Sequence, residues 1–198
     1  MIFKTVGVVG SGLMGSEIAL VFAMAGRRVK LHDANPTFLD QAMTRLERVL
    51  QKGIDRELYE PDVINVVLPR IERCAALDNY SDCDLVVEAV FEDEEVKASV
   101  FSDLDQLVSN DCVLASNTSS ISITTLASKV SEARRSRFIG THFFSPVSRM
   151  KLVEVIPGLD TDPLIVEQMM SACREIGKTP IEVKDVVGFA VNRLLHAM

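Results

Sequence analysis

Apolar and polar residues along the chain follow two different periods, and the places where the period changes outline its elements. Lys4 to Val9 is a short β-branched run of the kind that forms a buried parallel strand. Leu13 to Gly26 then repeats helically through Leu13, Ala19, Leu20 and Ala23, and Arg28 to His32 is a second strand. Asn35 stands where an N-cap would, before proline at the first turn of a helix from Pro36 to Gly53. Leu39, Met43, Leu46 and Leu50 form its inward face. Further on, Asp84 to Phe91 reads as a strand, Val96 to Val108 as a helix and Val113 to Ser116 as a strand. Arg137 to Phe144 and Leu152 to Ile156 are two more strands. A helix from Pro163 to Ile176, a strand from Thr179 to Val183 and a last helix from about Val187 follow, with Phe189 and Leu194 on its apolar face. Strands alternating with helices in this way predict a doubly wound α/β fold, of Rossmann type, on a mostly parallel sheet.

The junction between the first strand and helix carries GSGLMG, Gly10 to Gly15. Strand, glycine turn, helix, strand and acid all fall within about 30 residues, the context that a dinucleotide fingerprint requires. Gly10 permits the tight turn, Gly12 a close approach of backbone to a pyrophosphate, and Gly15 the packing of helix on strand. The first free amides of the helix, from Ser11, Leu13 and Met14 onward, would meet the phosphates. Asp33 lies 23 positions after Gly10, where a carboxylate can accept from a ribose diol and repel a 2′-phosphate. That favours NAD over NADP, although FAD and S-adenosylmethionine proteins share much of the motif.

Composition narrows the partners. With 198 residues the chain is long enough for one full domain and the start of a second, and its 47% hydrophobic and 25% charged residues suit an ordinary globular protein. A net charge of −7 argues against nucleic acid as a partner. The apolar run Leu13 to Ala25 is broken by Glu17 and too short for a bilayer, so no membrane partner is expected. The four cysteines form no C-x-x-C pair, no histidines stand at metal-ligand spacing, and a reducing, cytoplasmic setting is expected. Arg45, Arg48 and Lys52 make a basic stripe that is either a solvated helix face or a seat for an anionic substrate handle.

Of three histidines, His32 sits beside the ribose acid, His196 lies on the last helix, and His142 occupies a strand that ends toward the ligand edge. A histidine on an apolar strand is often structural. Glu154, inside LVEVI, alters that balance, because a carboxylate buried in a strand needs a partner. The two lie on successive strands and can pair, leaving one imidazole nitrogen free to act as a base. Glu92 and Ser119 follow strands at the same edge, where open parallel sheets bind ligands.

The blocks GSGLMG, VVEAVFEDEEVK, LASNTSS, GTHFFSP, MKLVEVI and DVVGFAVNRLL follow one another in the order of the 3-hydroxyacyl-CoA dehydrogenases, and the chain resembles that family along its whole length. The resemblance implies NAD as cofactor and a 3-hydroxyacyl-CoA, a small-molecule thioester, as substrate. It implies His142 as catalytic base with Glu154 as its orienting partner. Ser119 would be the hydroxyl on the substrate 3-oxygen, and Asn192 the side chain that helps hold the acyl group. Glu92, Lys97 and Ser145 match positions that meet the cofactor. It also implies that the last strands turn antiparallel.

The sequence departs from the family pattern at two positions. Ser145 replaces the usual asparagine, keeping a hydroxyl with a shorter reach, and Val187 replaces a proline before Gly188-Phe189. Relatives continue into a helical second domain that closes the cleft and forms a homodimer. Residues 1–184 are therefore expected to be the NAD-binding domain and 185–198 the start of a linker helix. Two other readings remain at this point: a dehydrogenase of a non-CoA hydroxy acid on the same scaffold, and a non-catalytic NAD-binding module.

Overall fold

A computed structural model describes residues 2–196. Eight strands form one sheet in the order β3-β2-β1-β4-β5-β6-β7-β8. They are β1 (Thr5–Val9), β2 (Arg28–His32), β3 (Ile71–Cys74), β4 (Leu85–Glu88), β5 (Val113–Ser116), β6 (Phe138–Phe143), β7 (Leu152–Pro157) and β8 (Thr179–Glu182). The first six are mutually parallel; β7 pairs antiparallel with β6 and β8 runs parallel to β7. The expected doubly wound α/β fold and its antiparallel end are both present.

Among the described residues, eight α-helices surround the sheet: α1 (Leu13–Met24), α2 (Pro36–Ile54), α3 (Val63–Val67), α4 (Glu94–Leu107), α5 (Ile123–Ala127), α6 (Glu132–Arg135), α7 (Pro163–Glu175) and α8 (Val191–His196). Residues of α1, α2, α3 and α7 pack on one face with Val8, Leu31, Val87, Ala115, Val153 and Val155. Residues of α4 and α5 cover the other face with Val86, Leu114, Phe138 and Ile156. Alternation along each strand therefore sends successive side chains into different cores, which is why the strands read as continuous apolar runs. No helix among the described residues is long and apolar enough to cross a membrane.

Three differences from the sequence reading have local causes. Strand β3 was not expected, because in Ile71–Cys74 only the end residues are buried and its pairing with β2 supplies what the side chains do not. Helix α4 begins at Glu94, two residues earlier than expected, since Asp93 caps it by accepting from the Glu95 and Val96 amides at 2.9 and 3.0 Å. The last helix begins at Val191 rather than near Val187. Gly188 and Phe189 take positive φ of 73° and 47°, which breaks any helix there. Phe189, expected on the apolar face of that helix, is instead buried before it, at 2% exposure.

Candidate active site

The carboxyl ends of β1, β2, β4, β5 and β6 share one edge of the sheet, and the loops leaving them carry the expected site residues. At the first of these loops, Gly10 has φ +97°, and a Cβ there would lie 2.5 Å from the Ala89 carbonyl oxygen. A Cβ on Gly15 would come within 1.8 Å of the Gly10 oxygen. Both glycines are thus demanded by the protein itself. Gly12 is not, since a Cβ there would meet nothing within 4 Å.

Gly12 is also the N-cap of α1, with no side-chain cap and no acid in the first turn. The amides of Leu13 and Met14 are left for an external acceptor. Leu13 is exposed and Met14 half-buried beside them. Asp33, just past β2, accepts at Oδ2 from the Ser11 amide (2.8 Å) and hydroxyl (3.0 Å), and at Oδ1 from the Asn35 amide (3.0 Å). Its carboxylate is therefore fixed against the glycine loop. An open cradle, uncapped helix amides and a held carboxylate fit a dinucleotide. His32 packs at the strand end, its Nδ1 2.9 Å from the Cys74 carbonyl of β3.

Glu92 gathers the loop after β5. One oxygen accepts from the Thr118 hydroxyl (2.6 Å), the Ser119 amide and hydroxyl (2.8 and 3.1 Å) and the Ser120 amide and hydroxyl (3.0 Å each). Burial alone would raise its pKa, but these donors and the Lys97 charge outweigh burial and bring it down to about 2. Lys97 itself is buried, its ammonium 2.6 Å from Glu88 and 3.4 Å from Glu92. Glu88 also accepts from Ser116 Oγ (2.7 Å) and the Val90 amide (2.7 Å). Glu88 lies inside the strand expected over Asp84 to Phe91, and the sequence analysis did not single it out. The signal was Lys97, nine positions on, the one cation able to balance it from the next helix.

His142 and Glu154 are directly opposite each other in the β6–β7 pairing. His142 Nδ1 lies 2.7 Å from Glu154 Oε2, with the histidine 7% and the glutamate 0% exposed. The other carboxylate oxygen accepts from the Ala190 and Val191 amides at 3.0 and 2.9 Å. Phe144 and Phe189 flank the imidazole, with ring centroids 4.5 and 5.8 Å away. A carboxylate can only accept from Nδ1–H, so in the neutral imidazole Nε2 is the nitrogen that carries the lone pair.

Asn192 follows two residues after Ala190, and its Nδ2 donates to the Ser119 carbonyl at 3.3 Å. Ser119, Ser120, Val187, Gly188, Asn192 and Arg193 line a cavity of about 440 Å³. Asn117, two residues before Ser119, accepts from the Phe143 amide at 2.9 Å and so ties this loop to the histidine strand. Ser119, His142, Glu154 and Asn192 therefore belong to one connected cluster. Asp185 was missed by sequence reasoning; it accepts from Ser122 Oγ (2.9 Å), the Ile123 and Thr124 amides (2.9 Å each) and Thr124 Oγ1 (2.7 Å). It anchors the final segment to the start of α5. Ser145 is exposed after β6, preceding the cis peptide to Pro146. His196 belongs to α8, and Arg45, Arg48 and Lys52 line a groove of about 540 Å³ along α2.

A model of the 3-hydroxyacyl-CoA dehydrogenase NAD-binding domain matches residues 5–186. The chain belongs to this family. It is 41% identical over 192 residues to a probable 3-hydroxybutyryl-CoA dehydrogenase of Deinococcus radiodurans, a match covering 97% of this chain and 68% of that protein. It is 40% identical to a fatty acid oxidation complex subunit alpha of Idiomarina loihiensis, covering 97% of this chain and 26% of that one. Among solved structures, the (S)-3-hydroxybutyryl-CoA dehydrogenase of Ralstonia eutropha superimposes with a TM-score of 0.94 at 37% identity, over 98% of this chain and 68% of that one. As a member of the 3-hydroxyacyl-CoA dehydrogenases the chain is an NAD-dependent oxidoreductase.

Proposed function

We propose that the chain carries the cofactor half and the catalytic pair of an enzyme that oxidises a (3S)-hydroxyacyl-CoA to the 3-oxoacyl-CoA, in fatty acid oxidation or butanoate metabolism. The observation that carries this is the buried His142–Glu154 pair, 2.7 Å apart and joined through Ala190–Val191 to Asn192 and Ser119. A module that only binds NAD has no use for it.

In this reading Gly10, Ser11, Gly12, Leu13, Met14 and Gly15 seat the pyrophosphate, Asp33 holds the adenosine ribose, and Glu92 and Ser145 border the nicotinamide end. Lys97 is buried on Glu88 at 2.6 Å and so does not touch the cofactor directly as the resemblance implied; it acts there through its charge, 3.4 Å from Glu92. Bound NAD supplies the hydride acceptor. Ser119 and Asn192 hold the 3-oxygen and the acyl group. His142 Nε2 takes the hydroxyl proton, and Glu154 stabilises the resulting imidazolium. Ser119 has one hydroxyl proton and spends it on Glu92 in this structure, so to donate to a 3-oxo group it must turn away from Glu92.

Residues 1–184 form the NAD-binding domain in this proposal, and 185–198 lead into a further domain that completes the cleft and mediates a homodimer. Val187 and Leu194, 86% and 68% exposed, are the apolar surface it would cover. The four cysteines are free and buried, which supports a reducing cytoplasm. Two assays test the reading. Calorimetry on the 198-residue chain should show NADH binding. NADH oxidation by acetoacetyl-CoA should be rapid in a polypeptide that includes the second domain and slow in the chain alone. Absence of turnover in the longer polypeptide would overturn the substrate assignment.

A further inference from the structure

Arg45 was grouped by sequence with Arg48 and Lys52, but its guanidinium is turned away from them onto the glycine loop. Nη2 donates to the Ser11 carbonyl at 2.9 Å and to Ser16 Oγ at 3.1 Å, and Nε reaches Ser16 Oγ at 3.3 Å. Ser16 Oγ in turn donates to the Gly12 carbonyl at 2.7 Å. Ser11 is thereby held on both sides, its donors by Asp33 and its carbonyl by Arg45. The two carbonyls of the loop tip point at donors inside the protein, and the amides that follow them are left outward.

The charge matters as well as the geometry. Among the described residues no carboxylate lies within ion-pair distance of Arg45, and α1 has no acid in its first turn. Ser11 and Ser16 are fully buried, so water screens this side of the loop poorly. A guanidinium with no carboxylate in direct contact therefore backs the same turn whose amides already favour an anion.

We propose that Arg45 is a positioning residue for the dinucleotide pyrophosphate, turning the Ser11 and Gly12 carbonyls inward and placing a positive charge behind the first turn of α1. This rests on the NAD reading of the loop.

The test is binding of NADH and ADP by calorimetry, and of adenosine by NMR titration, to the 198-residue chain and to its Arg45→Met, Arg45→Gln and Arg45→Lys variants. Arg45 is half-buried, so the variants should fold, and their melting curves check this. Arg45→Met should weaken NADH and ADP about tenfold while leaving adenosine within about twofold, as expected for loss of a charge-assisted contact. The salt dependence of ADP binding should also flatten. Arg45→Lys should recover part of the loss, and Arg45→Gln, a donor without charge, less. Unchanged ADP affinity in Arg45→Met, or equal losses of ADP and adenosine, would overturn the proposal. A wild-type chain that binds neither NADH nor ADP would instead overturn the cofactor reading beneath it.

Discussion

His142 and Glu154 face each other across the antiparallel β6–β7 pair, with 2.7 Å between Nδ1 and the carboxylate. Register alone brings them together, and both are buried. Glu154 spends its second oxygen on the Ala190 and Val191 amides, so the group that orients the base also holds the approach to α8. Orientation of the imidazole and placement of Asn192 depend on one side chain.

Replacing His142 by glutamine, in a polypeptide that includes the second domain, should lower kcat by about 10²–10⁴-fold, the usual worth of a positioned acid–base group. NADH affinity should stay within about twofold. Steady-state rates with acetoacetyl-CoA and NADH measure the first and calorimetry the second; activity retained within a few-fold would remove His142 from the role of base.

Gly12→Ala and Gly15→Ala should fail in different ways. The added methyl at residue 12 meets no protein atom within 4 Å, so the melting temperature should hold while NADH binding falls. At residue 15 it would lie 1.8 Å from the Gly10 oxygen, so stability and binding should fall together. Thermal melts beside NADH titrations distinguish the two, and normal NADH binding by Gly12→Ala would put the phosphates elsewhere.

Asp33→Ala should narrow the preference for NADH over NADPH. The carboxylate is pinned by Ser11 and Asn35 where it accepts from a diol and repels a 2′-phosphate. Parallel calorimetric titrations with the two cofactors give the ratio. Equal affinities in the wild type would already defeat the assignment.

Glu92 has a folded-state pKa of about 2, below its ordinary value of about 4.5. A depressed carboxylate pKa adds stability that is complete above the unfolded value and is lost as pH falls toward the folded one. The stability gap between wild type and Glu92→Gln should therefore be widest above pH 5 and should shrink steadily from about pH 4.5 downward. Urea unfolding at a series of pH values reads this; a gap independent of pH would show that the loop is not held by the ionised group.

Much of this was legible in the chain itself. The run before Gly10, the helical repeat after Gly12 and the acid at Asp33 sit close enough in sequence for local geometry to bring them together. Glu154 within an apolar strand announced a partner, since burying a lone carboxylate is too costly. Other features were illegible for equally physical reasons. Strand β3 is made by backbone pairing with β2, and its side chains carry no period to read. Arg45 looks like its neighbours Arg48 and Lys52 on a helix wheel, and only the packing of α2 on α1 turns it to Ser11.

The sequence by itself determined the order of the strands other than β3 and of the long helices, the glycine turn between β1 and α1, and the residue types available for chemistry. Those follow from short-range sterics and hydrophobic periodicity. Tertiary structure decided which charges meet: Lys97 with Glu88 and Glu92, Asp185 with the start of α5, Glu154 with both His142 and the amides before α8. Such pairings join residues that are distant along the chain, and their partners are chosen by sheet register and by the cost of leaving a buried charge alone.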